Sequence, residues 1–299
     1  MKNEIGSLPF HLVDVFAVEP LTGNPLAVVE GGEDLPLLSF QRIARELNQS
    51  ETTFLMSPTK NQADWRLRSF TAAGAEVFGA GHNALGAWWW LADAGRLSLN
   101  RAETEFHQEI GDQVLPVMIS ASEGRPDWVV MQQEAPVFGS TVRDALSLAE
   151  ALGLSIHDIA TEVLSCQVIS TGAPHLMVPL RDRNAVDRAR PDAKALLVIL
   201  KSCGGEGCYV FSLDPRQPGA TAYARFFNPT VGISEDPATG TAAGPLAAHL
   251  VSAGLAAGTV MIEQGTSMGR TSLIQVHISG STVKIAGRAV VVASGQLFI

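Results

Sequence analysis

Three residues that could move a proton stand at the ends of predicted helices and strands: Glu51, His82 and Asp236. Proton transfer at carbon needs an acid or base whose pKa is set by its surroundings, and groups that hold the substrate beside it. A Glu, a His and an Asp could supply such a set. Each could equally be structural, with Glu51 a turn residue, His82 a cap residue and Asp236 an N-cap beside a proline. The residue types alone leave both interpretations open.

The elements around these residues predict where the side chains lie. Apolar residues spaced three and four apart over residues 40–47 predict an amphipathic helix. A strand is predicted within residues 50–55, so Glu51 lies at a helix–strand junction, where functional residues are commonly placed. A second helix is predicted to begin at His82 and to end before Gly95.

A second feature is an internal repeat. Residues 76–95 and 235–254 align at an offset of 159, with six identities in twenty positions. Each copy contains a Glu, a turn with glycine, a helix of small residues and a final glycine. We interpret the two segments as copies of one unit, one in each of two domains. Helices and strands otherwise follow no regular βαβ order, which favours a mixed α/β (α+β) fold over a doubly wound sheet.

The repeated turns predict a site for an anion. A glycine turn before a helix exposes unpaired backbone N–H groups at the positive end of the helix dipole, which suits a carboxylate or phosphate. Two such ends could hold one small acidic ligand, although the glycines could also serve helix packing alone. Gly79, Gly81 and Ala84 also fit a relaxed dinucleotide fingerprint. Glu76 interrupts the strand that such a fingerprint requires, so a nicotinamide enzyme is the least favoured interpretation.

The composition limits the classes of partner. The 299 residues carry 21 Lys and Arg against 30 Asp and Glu, a net charge of −9, which argues against nucleic acid or an anionic membrane. No apolar run reaches the roughly 18 residues of a membrane span, and the N-terminus does not resemble a signal peptide. Three cysteines are too few for a disulfide framework and do not have zinc-site spacing. We therefore expect a cytoplasmic protein without a metal.

At this point the sequence resembles the PhzF family of isomerases, named for phenazine biosynthesis. The similarity extends along nearly the whole chain and rests on short strings: VDVF at 13–16, GNP at 23–25, ELNQSETTF at 46–54, GH at 81–82, TGAPH at 171–175, GISEDPATGT at 232–241 and EQG at 263–265. The resemblance implies two pseudo-symmetric, diaminopimelate-epimerase-like domains, each a mostly antiparallel sheet wrapped round a central helix. We predict one domain over residues 1–125 plus 289–299 and the other over 126–288.

The resemblance also implies an activity and roles for residues. In the phenazine enzyme, a proton moves between ring carbons of trans-2,3-dihydro-3-hydroxyanthranilate, in a cleft between the domains. By motif, Glu51 matches the catalytic acid/base, and His82 and Asp236 match catalytic groups that bind and orient the substrate. Substrate-binding positions are predicted at Gly81, Asn83, Thr239, Gly240 and Thr241. Family members typically need no metal and no organic cofactor, and they are usually homodimers.

Some positions depart from the family pattern. The commoner GHAT string is GHNA here, so Asn83 follows His82 and could alter which substrate is accepted. Sister racemases of this fold use two opposed cysteines, but the corresponding positions are Ala80 and Thr239. We therefore predict a cofactor-independent isomerase acting on a small carboxylate. The alternatives are a non-catalytic carboxylate-binding protein and, less favoured, a racemase or epimerase.

Overall fold

The structure, a computed structural model, describes residues 6–299. The chain divides into two compact units: the first ends at Met131 and also takes in Gly287–Ile299, and the second is Gln132–Ala286. The predicted domain limits fall close to these positions and stay a prediction. The prediction that the N-terminus is not a signal peptide rests partly on residues 1–5, which lie outside the described residues.

The elements follow one another in a mixed order. The first part of the chain forms β1 (Ser7–Val15), β2 (Asn24–Glu30), α1 (Leu37–Leu47), β3 (Glu51–Met56), β4 (Trp65–Thr71), β5 (Glu76–Val77), α2 (His82–Asp93), β6 (Glu103–Ile110), β7 (Gln113–Ser122) and β8 (Arg125–Gln133). It continues with β9 (Val137–Thr141), α3 (Ala145–Ala151), β10 (Gln167–Ser170), β11 (Pro174–Pro179), α4 (Arg183–Arg188), α5 (Ala193–Cys203), β12 (Gly207–Ser212), β13 (Ala222–Asn228), β14 (Ile233–Asp236), α6 (Gly240–Ser252), β15 (Thr259–Gln264), β16 (Ser272–Ser279), β17 (Thr282–Gly287) and β18 (Ala289–Phe298). Single 3₁₀ turns lie at Ile156–Asp158 and Thr266–Met268.

The two units share one strand topology. In the first, the hydrogen-bonded order is β18–β1–β2–β3–β4–β6–β7–β8, with β5 beside β4. In the second it is β9–β10–β11–β12–β13–β15–β16–β17, with β14 beside β13. The pairs β2/β3 and β4/β6 are parallel, as are their counterparts β11/β12 and β13/β15, and the other pairs are antiparallel. The repeat seen at an offset of 159 is therefore part of an internal duplication that extends through the strands of both units.

Each unit is built round one apolar helix. In α2, nine of the twelve residues are buried, and the helix packs against β1, β2, β3 and β18. Small residues allow this close approach: a Cβ at Gly86 would lie 2.5 Å from Val15 Cγ2. Helix α6 is buried in the same way and packs against β10, β11 and β16. The predicted central helix is thus confirmed in both units.

Equivalent buried carboxylates also mark the duplication. Glu109 and Glu263 are the second-last residues of β6 and β15, and both are almost fully buried. Each accepts hydrogen bonds from two consecutive backbone N–H groups, in the loop after β3 for Glu109 and the loop after β12 for Glu263. A threonine hydroxyl completes each set. Because a buried carboxylate is costly without such partners, each Glu fixes its neighbouring loop.

The structure has the central helices and strands close to their predicted positions, and it differs from the predictions in short segments. Strand β3 begins at Glu51, α2 ends before Gly95, and that glycine has a φ of 68°. Residues 233–236 form a short strand, β14, because they pair with β13. Among the described residues, every helix is too short or too polar to cross a membrane.

Candidate active site

Glu51 and His82 are brought together in the first unit by different elements. Glu51 is the first residue of β3, and His82 is the first residue of α2. The carboxylate Oε2 of Glu51 lies 3.9 Å from the imidazole Nε2 of His82, and the two side chains are 16% and 13% exposed. This separation is longer than a hydrogen bond. The two groups are therefore neighbours at the edge of the protein interior and do not form a closed ion pair.

Burial keeps His82 neutral. It lowers the pKa of His82 from its ordinary 6.5 to about 4, because the charged imidazolium loses its hydration. Nε2 of His82 has no hydrogen-bond partner among residues 6–299. At neutral pH the ring is therefore an uncharged group that can accept or donate one proton next to a carboxylate.

A buried amide, that of Asn83, shapes the turn before α2. Asn83 is 1% exposed, and its Oδ1 accepts a hydrogen bond from the Gly81 backbone N–H at 2.7 Å. Its Nδ2 donates to the Gly79 carbonyl and to Ser69 Oγ, each at 3.0 Å. The side chain of Asn83 therefore faces the protein and fixes the turn. Because the side chain is engaged in this way, a contact between Asn83 and a substrate would involve its backbone. The role of Asn83 in substrate binding stays a prediction.

A second buried amide, that of Gln264, shapes the turn before α6. Gln264 is fully buried at the end of β15, and its Oε1 accepts from the Thr239 backbone N–H at 3.1 Å and from the Tyr209 hydroxyl at 2.7 Å. Its Nε2 donates to the Asp236 carbonyl at 2.7 Å and to Thr239 Oγ1 at 3.0 Å. The Thr239 hydroxyl in turn donates to the Asp236 carboxylate at 2.5 Å. Gln264 thus holds both residues of the turn in place.

Thr239, rather than Asp236, occupies the N-cap position of α6, and it makes no side-chain cap hydrogen bond. Asp236 ends β14 instead. The structural role considered for Asp236 as an N-cap is therefore wrong, because three further residues separate it from the first turn of the helix. Its carboxylate is half-buried and turned toward Thr239.

Further polar side chains of the second unit form hydrogen bonds with the first residues of α6. Gln133 Nε2 donates to the Gly240 carbonyl at 3.0 Å, and His175 Nε2 lies 3.1 Å from Thr241 Oγ1. Thr241 itself is partly exposed. The structure therefore brings Asp236, Thr239, Gly240 and Thr241 together on one turn, as the sequence predicts.

The two turns predicted to bind an anion share one hydrogen-bonding arrangement. In both, the backbone N–H of the N-cap residue, Gly81 or Thr239, is already bonded to the buried amide. In α6 the Ala242 N–H donates to the Thr239 carbonyl at 3.1 Å, so the Gly240 and Thr241 N–H groups are the ones left for a ligand. Gly81 and Thr239 are predicted substrate-binding positions, but their N–H groups stabilise the conformation of the two turns instead.

An ion pair of matching geometry supports each turn. Arg68 of β4 binds Glu76 of β5 through Nε and Nη2 at 2.7 and 2.9 Å. Arg225 of β13 binds Glu235 of β14 through the same atoms at 2.8 and 2.7 Å. Although burial by itself raises the pKa of Glu235, Arg225 and Ser267 together hold that pKa below its ordinary value. The alignment of the two repeats predicts that Glu76 and Glu235 are equivalent. The structure shows that their partners, Arg68 and Arg225, are equivalent as well.

Gln264 and His175 have no role assigned from the sequence, although both lie within strings that resemble the family. One signal could have identified them: each is a polar residue in or beside an apolar strand, where a buried polar group needs a specific partner. Ser69 and Thr53, which bond to each other at 2.8 Å beneath Asn83, carry the same signal.

No metal centre or reactive thiol pair accompanies these residues. Within residues 6–299, no group of three or more His, Cys, Asp and Glu side chains is placed to hold a metal ion. Cys166 and Cys208 are buried in the core of the second unit, and burial raises the pKa of Cys166 to about 12. These thiols stay protonated and lie outside the two turns.

Known proteins similar to this chain include enzymes named as isomerases. The family described as "Phenazine biosynthesis-like protein" matches residues 13–295. An uncharacterized isomerase of Clostridium acetobutylicum is 32% identical, with 97% of each chain covered. The trans-2,3-dihydro-3-hydroxyanthranilate isomerase of Pseudomonas fluorescens is also 32% identical, over 97% of this chain and 99% of that protein.

Solved structures agree with these relatives. A PhzF-family phenazine biosynthesis protein of Bacillus anthracis superposes with a TM-score of 0.88 at 26% identity, covering 99% of this chain and 100% of that one. At the level of fold alone, a hydroxyproline epimerase of Agrobacterium vitis matches with a TM-score of 0.63 at 14% identity, covering 97% of this chain and 91% of that one. The predicted mixed α/β fold with two epimerase-like domains, and an isomerase-type enzyme, are thereby confirmed. The chain belongs to the PhzF family.

Proposed function

We propose that the protein is an isomerase that moves a proton between carbons of a small carboxylate, with Glu51 as the acid/base. In this proposal Glu51 removes a proton from one carbon and returns it to another, so no external reactant is consumed. The relatives named trans-2,3-dihydro-3-hydroxyanthranilate isomerase suggest a substrate of that kind. The reaction is proposed to need no cofactor.

The observation that carries the proposal is the placement of Glu51 beside a neutral imidazole. A carboxylate that is mostly out of water is a better base toward carbon than a hydrated one. His82 Nε2, 3.9 Å away, is near enough to contact a ligand atom that also contacts Glu51. Because His82 is uncharged, it does not hold Glu51 in an ion pair and can hydrogen-bond the substrate instead.

For the rest of the site, we propose the roles that the family resemblance implies. Asp236 orients the substrate. The Gly240 and Thr241 backbone and the Thr241 hydroxyl bind its carboxylate, and Gly81, Asn83 and Thr239 contribute through the shape of their turns. The positive end of a helix suits such a group. The bonds of Gln264 and Gln133 keep this turn rigid before the substrate arrives, which lowers the entropic cost of binding.

Two alternatives remain distinct from this proposal. A protein that only binds a carboxylate would use the same helix ends and would need no acid/base. A two-thiol racemase would need an exposed cysteine at each turn, whereas Cys166 and Cys208 lie in the core and Ala80 and Thr239 occupy the turns. Burial also raises the pKa of Cys208 above its ordinary value, which opposes the thiolate that such chemistry needs.

The decisive experiment is Glu51→Gln, assayed with trans-2,3-dihydro-3-hydroxyanthranilate and by deuterium exchange into its carbon positions. Gln keeps the size of Glu but is not a base, so turnover and exchange should fall by about 10³-fold or more. Binding of the substrate should change little. Glu46→Gln, at an exposed position of α1 in the same sequence string, is the matched control and should leave turnover unchanged. Full turnover or exchange by Glu51→Gln would refute the role of Glu51, and absence of exchange in the native protein would favour a passive binder.

The pH dependence gives a second test. With a pKa of about 4, His82 is neutral from about pH 5 upward, so it should add no inflection to the turnover profile between pH 6 and 8. His82→Gln should lower turnover but leave the shape of the profile in that range unchanged. A profile that loses an inflection near the ordinary His pKa in His82→Gln would contradict the neutral state of His82.

A further inference from the structure

His175 is a buried polar residue that touches the proposed carboxylate site without belonging to it. It lies on β11 and is 3% exposed. Its Nε2 is 3.1 Å from Thr241 Oγ1, in the first turn of α6. The direction of this hydrogen bond is set by which ring nitrogen carries the proton, and that direction decides what Thr241 can offer a ligand.

The other ring nitrogen of His175 faces an apolar surrounding. Nδ1 is inaccessible to solvent and has no hydrogen-bond partner within residues 6–299. The ring of Phe226 packs against the imidazole edge-on, with centroids 5.0 Å apart. The backbone of Gly207 closes the same side: a Cβ there would lie 3.1 Å from Nδ1 and 2.3 Å from Phe226 Cζ. The surroundings therefore leave Nδ1 without a partner.

An unpartnered N–H and an unpartnered lone pair are not equally costly. Buried N–H donors without an acceptor are rarer in proteins than acceptors that are not fully used. A proton on Nδ1 would create such a donor, whereas a proton on Nε2 is used by Thr241. Burial also keeps the ring from carrying both protons, since it lowers the pKa of His175 to about 4. The Nε2–H form is favoured on both grounds.

We infer that His175 is a positioning residue that donates its Nε2–H to Thr241 Oγ1, which commits the Thr241 hydroxyl to donating its own proton to the ligand. A hydroxyl oxygen that accepts from His175 still has one hydrogen, and that hydrogen points away from the imidazole. This point of the site therefore selects a hydrogen-bond acceptor, such as a carboxylate oxygen, over a donor such as an amide NH₂. The inference rests on the proposed function only for the choice of ligand.

The tautomer can be measured directly, without any assay of activity. In protein labelled with ¹⁵N in its histidines, His175 should show a one-bond coupling to hydrogen at Nε2 and none at Nδ1. The signal is assigned by its loss in His175→Gln. A proton found on Nδ1 would overturn the inference. This result is separate from the fate of the proposed function, which depends on Glu51→Gln.

The consequence for selectivity is measured by comparing two probes, 2-amino-3-hydroxybenzoate and its carboxamide. We expect His175→Phe and Thr241→Val each to lower the preference for the carboxylate by about 10-fold, which is the scale of one hydrogen bond to a charged group. The double variant should lose no more than either single variant, because both remove the same interaction.

A conservative variant separates positioning from folding. His175→Gln carries an NH₂ group that can replace Nε2–H, so it should retain most of the carboxylate preference. If His175→Phe weakens both probes equally, or if Gln fails to restore the preference in a folded protein, His175 has only a structural role and the inference is wrong.

Discussion

The two units are duplicates in scaffold but differ at the position of Glu51, the residue proposed to transfer a proton. Both contain an Arg–Glu pair, a buried amide behind a helix N-cap and a buried Glu that fixes a loop. Strand pairing makes Glu51 of β3, opposite Leu26, equivalent to Gly207 of β12, opposite His175. One unit thus carries a carboxylate where the other has no side chain at all.

The difference at this position shows how a duplicated fold can carry an asymmetric site. At Gly207 the space that a Glu side chain would need is occupied by the ring of Phe226 and by His175. A racemase that works from both faces of a carbon needs an acid and a base of similar kind, one from each copy. Glu51 has no such counterpart in the second unit, which suits the proposed transfer of a proton by a single group. The comparison can be tested on pairs of equivalent residues.

The largest difference is expected between the two arginines. Arg225 is 6% exposed in its side chain and also donates to the carbonyls of Val186 and Ala189, whereas Arg68 is 22% exposed. Arg225→Met leaves Glu235, 16% exposed, without its partner and should lower the free energy of unfolding by about 3–5 kcal/mol. Arg68→Met should cost about 1–2 kcal/mol, because water can reach Glu76 more easily. Urea denaturation of both variants measures the two effects.

Removing both partners gives the control for this pair. Arg225→Met combined with Glu235→Gln removes the stranded charge and should recover part of the loss seen in Arg225→Met. Equal losses in Arg68→Met and Arg225→Met would show that burial does not distinguish the two copies.

The buried amides should differ next. Gln264→Leu leaves the Tyr209 hydroxyl and the Thr239 N–H without their acceptor in a dry interior, at a cost of about 2–4 kcal/mol in the free energy of unfolding. Asn83→Ala leaves the Gly81 N–H in a turn that is partly exposed to water, and should cost about 1 kcal/mol. Thermal and urea denaturation compare the two, and a larger cost at Asn83 would contradict the order.

Gln264→Glu tests the donors of the amide separately. Glu keeps acceptors for Tyr209 but removes the Nε2 donors to Asp236 and Thr239. We expect it to weaken ligand binding through the turn before α6 even where the protein stays folded. Unchanged binding would show that this amide does not hold the turn for the substrate.

The smallest expected difference between equivalent turns or strands concerns Gly207, the residue equivalent to Glu51. Gly207→Ala places a Cβ against the ring of Phe226, and the resulting overpacking should cost about 1–3 kcal/mol in the free energy of unfolding. Gly79→Ala, in the turn of the first unit, meets no heavy atom within 4 Å and is the matched control. If both variants are equally stable, the blocked space does not explain why the second unit has a glycine at the position equivalent to Glu51.

Local patterns predicted the elements that carry Glu51 and His82. The apolar spacing of α1 and the change to a strand at Glu51 both depend on neighbours in sequence, and the structure has them at the predicted residues. The duplicated helices could be found because Gly95 and Gly254, with φ of 68° and 71°, end both of them. Strand β14 could not be predicted, because its four residues are a strand only through pairing with β13.

The sequence by itself therefore determined the residue types, the repeat, and the placement of Glu51 and His82 at the ends of their elements. Tertiary structure alone decided that these two side chains lie 3.9 Å apart. It also decided that the amides of Asn83 and Gln264 point inward and that His175 meets Thr241. The physical reason is that helix and strand periodicity is local, whereas burial and hydrogen-bond partners depend on residues that are distant in sequence. Those contacts make two copies of one scaffold differ from each other.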